Sequence, residues 1–217
     1  MVSDWNTDER RMLRQTVRQF AERELVPHLE QWEEQGFIPR EVHRTTADAG
    51  LLGIGFPEEV GGCGGSPVDG LIVAEEIILA GGSSGLIAAL FTHGIGLPHL
   101  VTAGDPALID RVARPVLAGD RIISLAVTEP GGGSDVASLT TKAVRDGDDF
   151  VVTGSKLYIT SGTRADFFTT AVRTGGPGFG GISLLLIDRD LPGVSVSSPL
   201  KKMGWRCSET AEIAFDA

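Results

Sequence analysis

Residues 117–127, with the sequence LAGDRIISLAV, mark a change of pattern along the chain. Before this stretch, apolar residues recur at three-to-four spacing, as Leu13, Val17 and Phe20 do, which is typical of one face of a helix. After it, short β-branched and aromatic runs are separated by turn residues such as Leu191-Pro192-Gly193, which is typical of strands. Because the helices come first and the strands afterwards, the pattern predicts an α+β fold class.

The same change of pattern predicts the domain organisation. We expect an all-helical N-terminal domain at residues 1–119 and an antiparallel β-sheet or β-barrel domain at residues 120–217. The predicted strands cover residues 122–127, 150–152, 157–160, 167–173, 182–187, 194–196 and 212–215. In the helical half, Asn6 and Glu9 resemble a capping box, and Pro27 is expected to break the first helix.

Charge and cysteine content exclude several classes of protein. The 19 Lys and Arg residues against 29 Asp and Glu residues give a formal net charge of −10, which repels nucleic-acid phosphates and anionic lipid. Cys63 and Cys207 are too few for a disulfide framework, and with the four histidines they show no metal-ligand spacing. No apolar leader occupies the first 20 residues, and no apolar stretch is long enough to span a bilayer. We therefore predict a cytoplasmic protein without metal, nucleic acid or membrane span.

Two motifs match catalytic or cofactor patterns in their residue types but not in their predicted structural context. Residues 81–85 fit G-x-S-x-G, but a helical pattern precedes them and no histidine follows His99, so we favour a helix–helix turn over a hydrolase that uses Ser83. Residues 176–181 fit G-x-G-x-x-G, but they lead into a predicted strand, whereas a dinucleotide motif opens a helix. A hairpin loop is the preferred interpretation of the second motif.

The segment with the most chemical content is residues 125–135, with the sequence LAVTEPGGGSD. Glycines permit positive φ and close backbone approach, so successive N–H groups can converge on a ligand, and Thr128 and Ser134 add hydroxyls. Farther along, Tyr158 and Thr160 share one face of an alternating strand and together suit a flat heteroaromatic ring. Each feature has a plainer alternative, namely an ordinary strand-to-loop turn and a cross-strand Tyr–Thr pair.

Six motifs of the second half, taken in order, resemble the acyl-CoA dehydrogenase family. They are Thr128-Glu129-Pro130, Gly133-Ser134-Asp135, Gly154-Ser155-Lys156, Ile159-Thr160, Gly181-Ile182-Ser183 and Lys202-Met203-Gly204. The helical half resembles the long-chain branch of that family through Pro27-His28, Trp32-Glu33, Arg40-Glu41, Leu51-Leu52-Gly53 and the glycines at 61, 62, 64 and 65. The resemblance covers essentially the whole chain and corresponds to the N-terminal and middle domains of the family.

The resemblance implies FAD as cofactor and an acyl-CoA thioester as substrate. The positions that match the flavin segments of the family are Leu125, Ala126, Val127, Thr128, Gly132, Gly133, Ser134, Tyr158, Ile159 and Thr160. The positions that match its acyl-CoA contacts are Ser134, Phe179 and Gly180. Thr128 would meet the pyrimidine edge of the flavin, and Thr160 would meet its hydride-accepting nitrogen. Many relatives carry Trp or Phe at the position of Tyr158.

The implied reaction is the α,β-dehydrogenation of an acyl-CoA in fatty-acid metabolism, with electrons passed to an electron-transferring flavoprotein. In the family, a C-terminal helical bundle supplies the carboxylate base and most of the oligomer interface, and this sequence stops before it. No residue here matches the catalytic base. We expect a homo- or hetero-oligomer when the protein is complete. The alternative is a catalytically silent acyl-CoA- or flavin-binding fragment, or a subunit that needs a partner chain.

Overall fold

The computed structural model describes residues 4–216, which divide into two compact units. The helical unit contains residues 4–91, 100–121 and 202–208. The sheet unit contains residues 92–99, 122–201 and 209–216. Each unit is therefore built from three stretches of chain around a core of its own.

Helices of modest length account for most of the first half of the chain. The α-helices are α1 (Asp8–Phe20), α2 (Leu29–Gln35), α3 (Glu41–Asp48), α4 (Pro67–Leu79), α5 (Ser84–Leu90), α6 (His93–Gly96), α7 (Pro98–Ala103), α8 (Pro106–Leu108) and α9 (Arg114–Leu117). Tighter 3-10 turns cover Asp4–Asn6, Val26–His28, Glu58–Val60, Val136–Ser138 and Phe179–Gly181. Wider π-type turns cover Ala21–Leu25 and Ile109–Ala113.

Local chemistry explains where the first helix begins and ends. Thr7 caps α1, because its hydroxyl accepts the N–H of Arg10 at 3.3 Å. The helix therefore begins at Asp8, and the cap predicted at Asn6 is one residue early. The break predicted at Pro27 is present, since a π-type turn and a 3-10 turn separate α1 from α2.

The helical unit packs around one apolar core. Its buried members are Val17, Phe20, Ala21, Leu25, Trp32, Ile38, Leu51, Leu52, Val73, Ile77, Leu86, Ala89, Leu90 and Cys207. Helices α1, α4 and α5 each contribute residues at the three-to-four spacing that is visible in the sequence. Burial of one large apolar side chain of this kind stabilises the fold by about 1.5–3 kcal/mol.

The strands of residues 122–216 form one mixed sheet. They are β1 (Ile123–Ala126), β2 (Lys142–Asp146), β3 (Asp149–Thr160), β4 (Phe167–Arg173), β5 (Ile182–Asp188), β6 (Val194–Val196) and β7 (Thr210–Phe215). Neighbouring strands follow the order β1-β4-β2-β3-β7-β6, and β5 also pairs with β4. The sequence pattern does not predict β2, and it divides β3 into two strands.

The succession of helices and strands confirms the α+β prediction, and the sheet differs from the antiparallel expectation in one respect. β1 pairs with β4 in parallel, with Ile123 opposite Phe167, and β2 meets β4 in parallel at Lys142 and Arg173. The other pairings are antiparallel. The long segment 127–166 separates β1 from β4, so no tight hairpin forces these two strands to run in opposite directions.

The sheet unit has a separate apolar core that fixes the ends of β1 and β3. Its buried members are Ile122, Ala126, Ile159, Ala165, Phe168, Ile187, Ile213 and Phe215. Ala126 is the last residue of β1, and Ile159 is the second-last residue of β3. Both strand ends are thus anchored where the chain passes into the candidate site.

Candidate functional site

A tight turn follows β1 and presents the glycine-rich segment. The N–H of Glu129 donates to the carbonyl of Gly132 at 3.0 Å, and the N–H of Gly132 donates to the carbonyl of Glu129 at 3.0 Å. A Cβ at Gly133 would lie 3.1 Å from the Thr128 hydroxyl oxygen, a tight contact that favours glycine. None of the glycines at 131–133 has a positive φ, so the turn does not use the left-handed region that glycine permits. The turn is open simply because it carries few side chains.

Strand β3 contains a bulge. Its register with β7 shifts between Lys156 and Ile159, so that Leu157 and Tyr158 stand opposite a single residue of β7. Tyr158 has a φ of 61°, in the left-handed region that non-glycine residues rarely adopt. Regular alternation is therefore interrupted, and the argument that Tyr158 and Thr160 share a face by alternation does not hold.

One hydrogen bond joins the turn after β1 to the bulge of β3. The N–H of Leu157 donates to the carbonyl of Thr128 at 2.8 Å. We call Val127, Thr128, Leu157 and Tyr158 the turn–bulge junction. The Tyr158 side chain is 64% exposed, and Thr128 is partly exposed. The two segments that the sequence analysis singled out separately are thus neighbours, with an accessible aromatic ring at their meeting point.

A buried ammonium group supports the turn–bulge junction. The Lys156 side chain is 0% exposed, and its Nζ donates to the carbonyl of Val127 at 3.0 Å and to Oε1 of Glu129 at 2.9 Å. Glu129 also accepts the N–H groups of Thr140 at 2.6 Å and Thr141 at 2.8 Å. Both carboxylate oxygens are therefore occupied by donors from the chain itself.

The same contacts set the charge of Glu129. Burial is the largest influence and favours the neutral acid, but hydrogen bonds from Thr141, Thr140 and Lys156 together outweigh it and lower the pKa of Glu129 to about 2. Burial also lowers the pKa of Lys156, and the charge of Glu129 opposes that effect. A carboxylate with so low a pKa and with both oxygens engaged is poorly suited to remove a proton from carbon.

The remaining cofactor candidates differ in what they can offer a ligand. Ala126 and Ile159 have buried side chains, so only their main chain can contact a ligand. Those with partly or fully exposed surfaces are Leu125, Val127, Gly132, Gly133, Ser134 and Thr160. The carbonyl of Thr160 accepts the Ser124 hydroxyl at 2.7 Å, which leaves the Thr160 hydroxyl as its available polar group.

The candidate substrate residues lie on two loops that Arg173 holds together. Phe179 is 72% exposed and occupies, with Gly180, the 3-10 turn before β5. The Arg173 guanidinium donates to four main-chain carbonyls, those of Gly176 at 2.6 Å, Ala137 at 2.7 Å, Leu139 at 3.0 Å and Gly178 at 3.2 Å. Arg173 therefore ties the segment after Ser134 to the loop that carries Phe179. The sequence analysis missed this residue, because it reads as an ordinary charge at a strand end.

Ser83 is a structural residue of the helical unit. Its hydroxyl oxygen accepts the N–H of Leu86 at 3.1 Å and so caps α5, and the hydroxyl lies 3.1 Å from Oε1 of Glu33 as a donor. Glu33 also accepts the thiol of Cys207 at 3.0 Å. Burial first, and then the Glu33 charge, raise the pKa of the Cys207 thiol to about 12. The helix–helix turn is the interpretation that these contacts support.

The structure of residues 4–216 also bears on the second glycine motif, on metal ligands and on membrane spans. The glycine motif at 176–181 lies between β4 and β5, which pair antiparallel, so the hairpin interpretation is confirmed. No cluster of three or more His, Cys, Asp or Glu side chains in this range is arranged to hold a metal. Within it, no single helix is long and apolar enough to cross a membrane, although Ser84–Leu90 and His93–Ala103 meet that criterion as a bent pair.

Comparisons with known proteins agree on one family. The model of the acyl-CoA dehydrogenase N-terminal domain matches residues 7–120, and the model of the middle domain matches residues 124–217. A structure described as a probable acyl CoA dehydrogenase from Mycobacterium abscessus is 62% identical, with a TM-score of 0.96 over 98% of this chain and 56% of that one.

Two further relatives bear on the substrate branch and the cofactor. The long-chain specific acyl-CoA dehydrogenase of Mus musculus mitochondria is 33% identical over 97% of this chain and 49% of its own length. An acyl-CoA dehydrogenase from Bacillus anthracis, solved in complex with FAD, is 29% identical, with a TM-score of 0.85 over 100% of this chain and 37% of that one. The chain spans about half the length of the curated relatives that it matches. It belongs to the acyl-CoA dehydrogenase family.

Proposed function

We propose that this chain forms the flavin face of an FAD-dependent acyl-CoA dehydrogenase that introduces a double bond between the α and β carbons of an acyl-CoA. The observation that carries the proposal is the hydrogen bond from Leu157 to Thr128, which joins the two candidate flavin segments beside the exposed ring of Tyr158. Family membership supports the reaction class, and the relative solved with FAD supports the cofactor.

The donors at the turn–bulge junction suit the pyrimidine edge of a flavin. The N–H of Thr128 has no acceptor among residues 4–216, and its hydroxyl is on the same partly exposed residue. Main-chain donors fixed in advance stabilise negative charge without reorganisation. FAD bound there would supply the acceptor for the β hydrogen of the thioester, which leaves as a hydride. The role of Thr128 is to donate to the edge that becomes electron-rich, and the role of Thr160 is to donate near the hydride-accepting nitrogen.

The substrate side of the proposal uses Ser134, Phe179 and Gly180. Ser134 offers an exposed hydroxyl beside the flavin turn, and Phe179 offers an exposed ring on the loop fixed by Arg173. These groups would contact the CoA portion of the thioester. Neither buried acid of the sheet unit is assigned the role of base, because Glu129 is held in hydrogen bonds and Glu209 pairs with Arg164 at 2.7 Å.

An FAD titration with two aromatic variants tests the cofactor assignment. Tyr158→Ala removes the ring at the turn–bulge junction, and Phe150→Ala removes another partly exposed ring of β3 as the matched control. We expect FAD to raise the melting temperature of the 217-residue chain, and Tyr158→Ala to weaken binding about tenfold through lost stacking, which is about 1.4 kcal/mol. Phe150→Ala should bind like the wild type. No thermal shift at saturating FAD, or equal losses in both variants, would contradict the assignment.

The alternative is a chain that binds flavin or acyl-CoA without turnover, or one that needs a partner chain. What favours it is that both carboxylate oxygens of Glu129, the acid of the turn after β1, accept hydrogen bonds from the chain itself. Adding acyl-CoA to the FAD-loaded chain distinguishes the two functions, because dehydrogenation bleaches the flavin absorbance. Reoxidation by an electron-transferring flavoprotein would then support that partner as acceptor. A flavin that stays oxidised would favour the silent alternative for this chain.

A further inference from the structure

The resemblance assigns no chemical role to the fully buried ammonium of Lys156, although Gly154-Ser155-Lys156 is one of the motifs that carry it. Its side chain is 0% exposed, and its two oxygen partners are the Val127 carbonyl at 3.0 Å and Glu129 at 2.9 Å. Both partners lie in the turn that follows β1. The residue after Lys156, Leu157, donates its N–H to Thr128 in the same turn. Lys156 therefore holds the turn–bulge junction through its side chain, and Leu157 holds it through its main-chain N–H.

A buried ion pair is a costly way to hold two segments together. Removing two charges from water costs several kcal/mol per ion, and an apolar pair of similar volume is often as stable or more so. Fixing a loop therefore does not by itself require an ammonium group at this position. What an apolar side chain lacks is a positive charge against the carbonyl of Val127.

That charge acts on the peptide group between Val127 and Thr128. In a trans peptide the carbonyl and the N–H point in opposite directions, and this chain contains no cis peptide bond among the described residues. With its carbonyl directed at the buried Nζ of Lys156, the group presents the N–H of Thr128 on the other side. A charged donor at the carbonyl polarises the peptide and makes its N–H a stronger donor.

We propose that Lys156 is a positioning residue for the flavin, and that its ammonium strengthens the Thr128 N–H as a donor to the pyrimidine edge. This inference rests on the proposed function. The reduced flavin carries more negative charge at that edge than the oxidised flavin does, so a stronger donor stabilises the reduced form more. Lys156 therefore raises the reduction potential of the bound flavin without touching it.

A charge-matched pair of double variants tests the inference. Lys156→Met/Glu129→Gln removes both charges of the buried pair, so it leaves no uncompensated ion in the core. Arg18→Met/Glu76→Gln makes the same exchange in the helical unit, where Arg18 donates to the nearly fully buried Glu76 at 2.6 Å. The measured quantities are the reduction potential and dissociation constant of FAD bound to the 217-residue chain, and the amide spectrum of the FAD-free chain.

We expect the Lys156 double variant to lose about tenfold in its preference for reduced over oxidised FAD, which lowers the potential by about 30 mV for two electrons. The control variant should keep the wild-type potential. In the FAD-free chain, the Thr128 amide proton should shift to higher field only in the Lys156 variant, because the Val127 carbonyl of the same peptide group has lost its cation. A merely structural role would weaken FAD binding but leave the potential of the bound fraction unchanged.

The two readouts separate this inference from the proposed function. An unchanged potential in a Lys156 variant that binds FAD overturns the inference and leaves the function intact. Failure of the wild-type chain to bind FAD contradicts the proposed function, and the Thr128 amide shift then decides whether Lys156 polarises the peptide. An unchanged amide shift overturns the inference in either case. If the double variant does not fold, Lys156→Arg takes its place. This variant keeps the cation and is expected to retain the wild-type reduction potential. A tenfold loss of its preference for reduced over oxidised FAD overturns the inference.

Discussion

Glu129 in the sheet unit and Glu76 in the helical unit are both buried carboxylates that accept cations, yet their surroundings differ. Glu129 is 6% exposed, and its partner Lys156 is 0% exposed. Glu76 is 2% exposed, but the side chains of its partners Arg14 and Arg18 are 25% and 49% exposed. In the helical unit the cations keep contact with water, whereas in the sheet unit the cation is fully buried.

A buried carboxylate alone therefore does not indicate a functional site. Glu76 fastens α1 to α4 through guanidinium groups that remain partly hydrated, which is a low-cost arrangement for joining two helices. Glu129 instead holds a dry ammonium against a main-chain carbonyl of the turn–bulge junction. The pair with the fully buried cation lies beside the partly exposed residues Val127 and Thr128, and the pair with hydrated cations lies between two helices.

The largest expected effect on the free energy of unfolding comes from removing a cation that pairs with Glu129, compared with removing one that pairs with Glu76. Lys156→Met leaves Glu129 buried and unpaired, so it should lower the free energy of unfolding by about 3–5 kcal/mol. Arg18→Met leaves Glu76 paired with Arg14 and should cost about 1 kcal/mol or less. Urea denaturation followed by circular dichroism measures both. Equal losses would show that exposure of the cation does not distinguish the two pairs.

Acidic pH should have the second-largest effect on the free energy of unfolding, because it protonates Glu129. Its pKa is about 2 in the folded protein against 4.5 in the unfolded chain, so its contribution to stability is present above about pH 4.5 and is lost as the pH falls towards 2. The contribution is about 3 kcal/mol at most. Urea denaturation of the wild type and of Glu129→Gln at several pH values measures this contribution. The Glu129→Gln variant should be less stable at neutral pH, and the difference between the two proteins should shrink below pH 4.5. A difference that does not change with pH would contradict the assigned charge state.

The smallest effect concerns Ser83, a residue that Glu33 holds in the helical unit. Ser83→Ala removes the cap of α5 and should lower the free energy of unfolding by about 1 kcal/mol. Ser84→Ala, one residue into the helix, loses a hydroxyl that caps no helix but accepts the Trp205 indole N–H at 2.8 Å, so it is the control for the esterase measurement. Neither variant should change hydrolysis of a p-nitrophenyl ester, which we expect to remain at background. Esterase activity that disappears with Ser83 would restore the hydrolase hypothesis.

Local patterns in the sequence account for the fold class and for most element positions. Apolar spacing identifies α1 and α4, and β-branched runs identify β1, β4 and β5. β2 is not predicted because its sequence, KAVRD, is charged and its residues are mostly exposed. The parallel pairing of β1 with β4 is a tertiary arrangement, and no local pattern encodes it.

The candidate site is also predictable only in part, because its key contacts are tertiary and no local pattern encodes them. The glycine turn and the Tyr158 segment are each visible in the sequence, and their direct hydrogen bond is not. Lys156 and Glu129 are 27 positions apart, and a lysine beside a strand reads as a solvated charge until the fold buries it. The bulge that interrupts alternation at Tyr158 likewise depends on pairing with β7.

The most direct measurement is a crystal structure of the chain with FAD. We expect the isoalloxazine ring to lie at the turn–bulge junction, with its pyrimidine edge within hydrogen-bond distance, about 2.9 Å, of the Thr128 N–H, and with the Tyr158 ring against it. An isoalloxazine ring bound elsewhere on the chain, with the Thr128 N–H facing solvent, would contradict it.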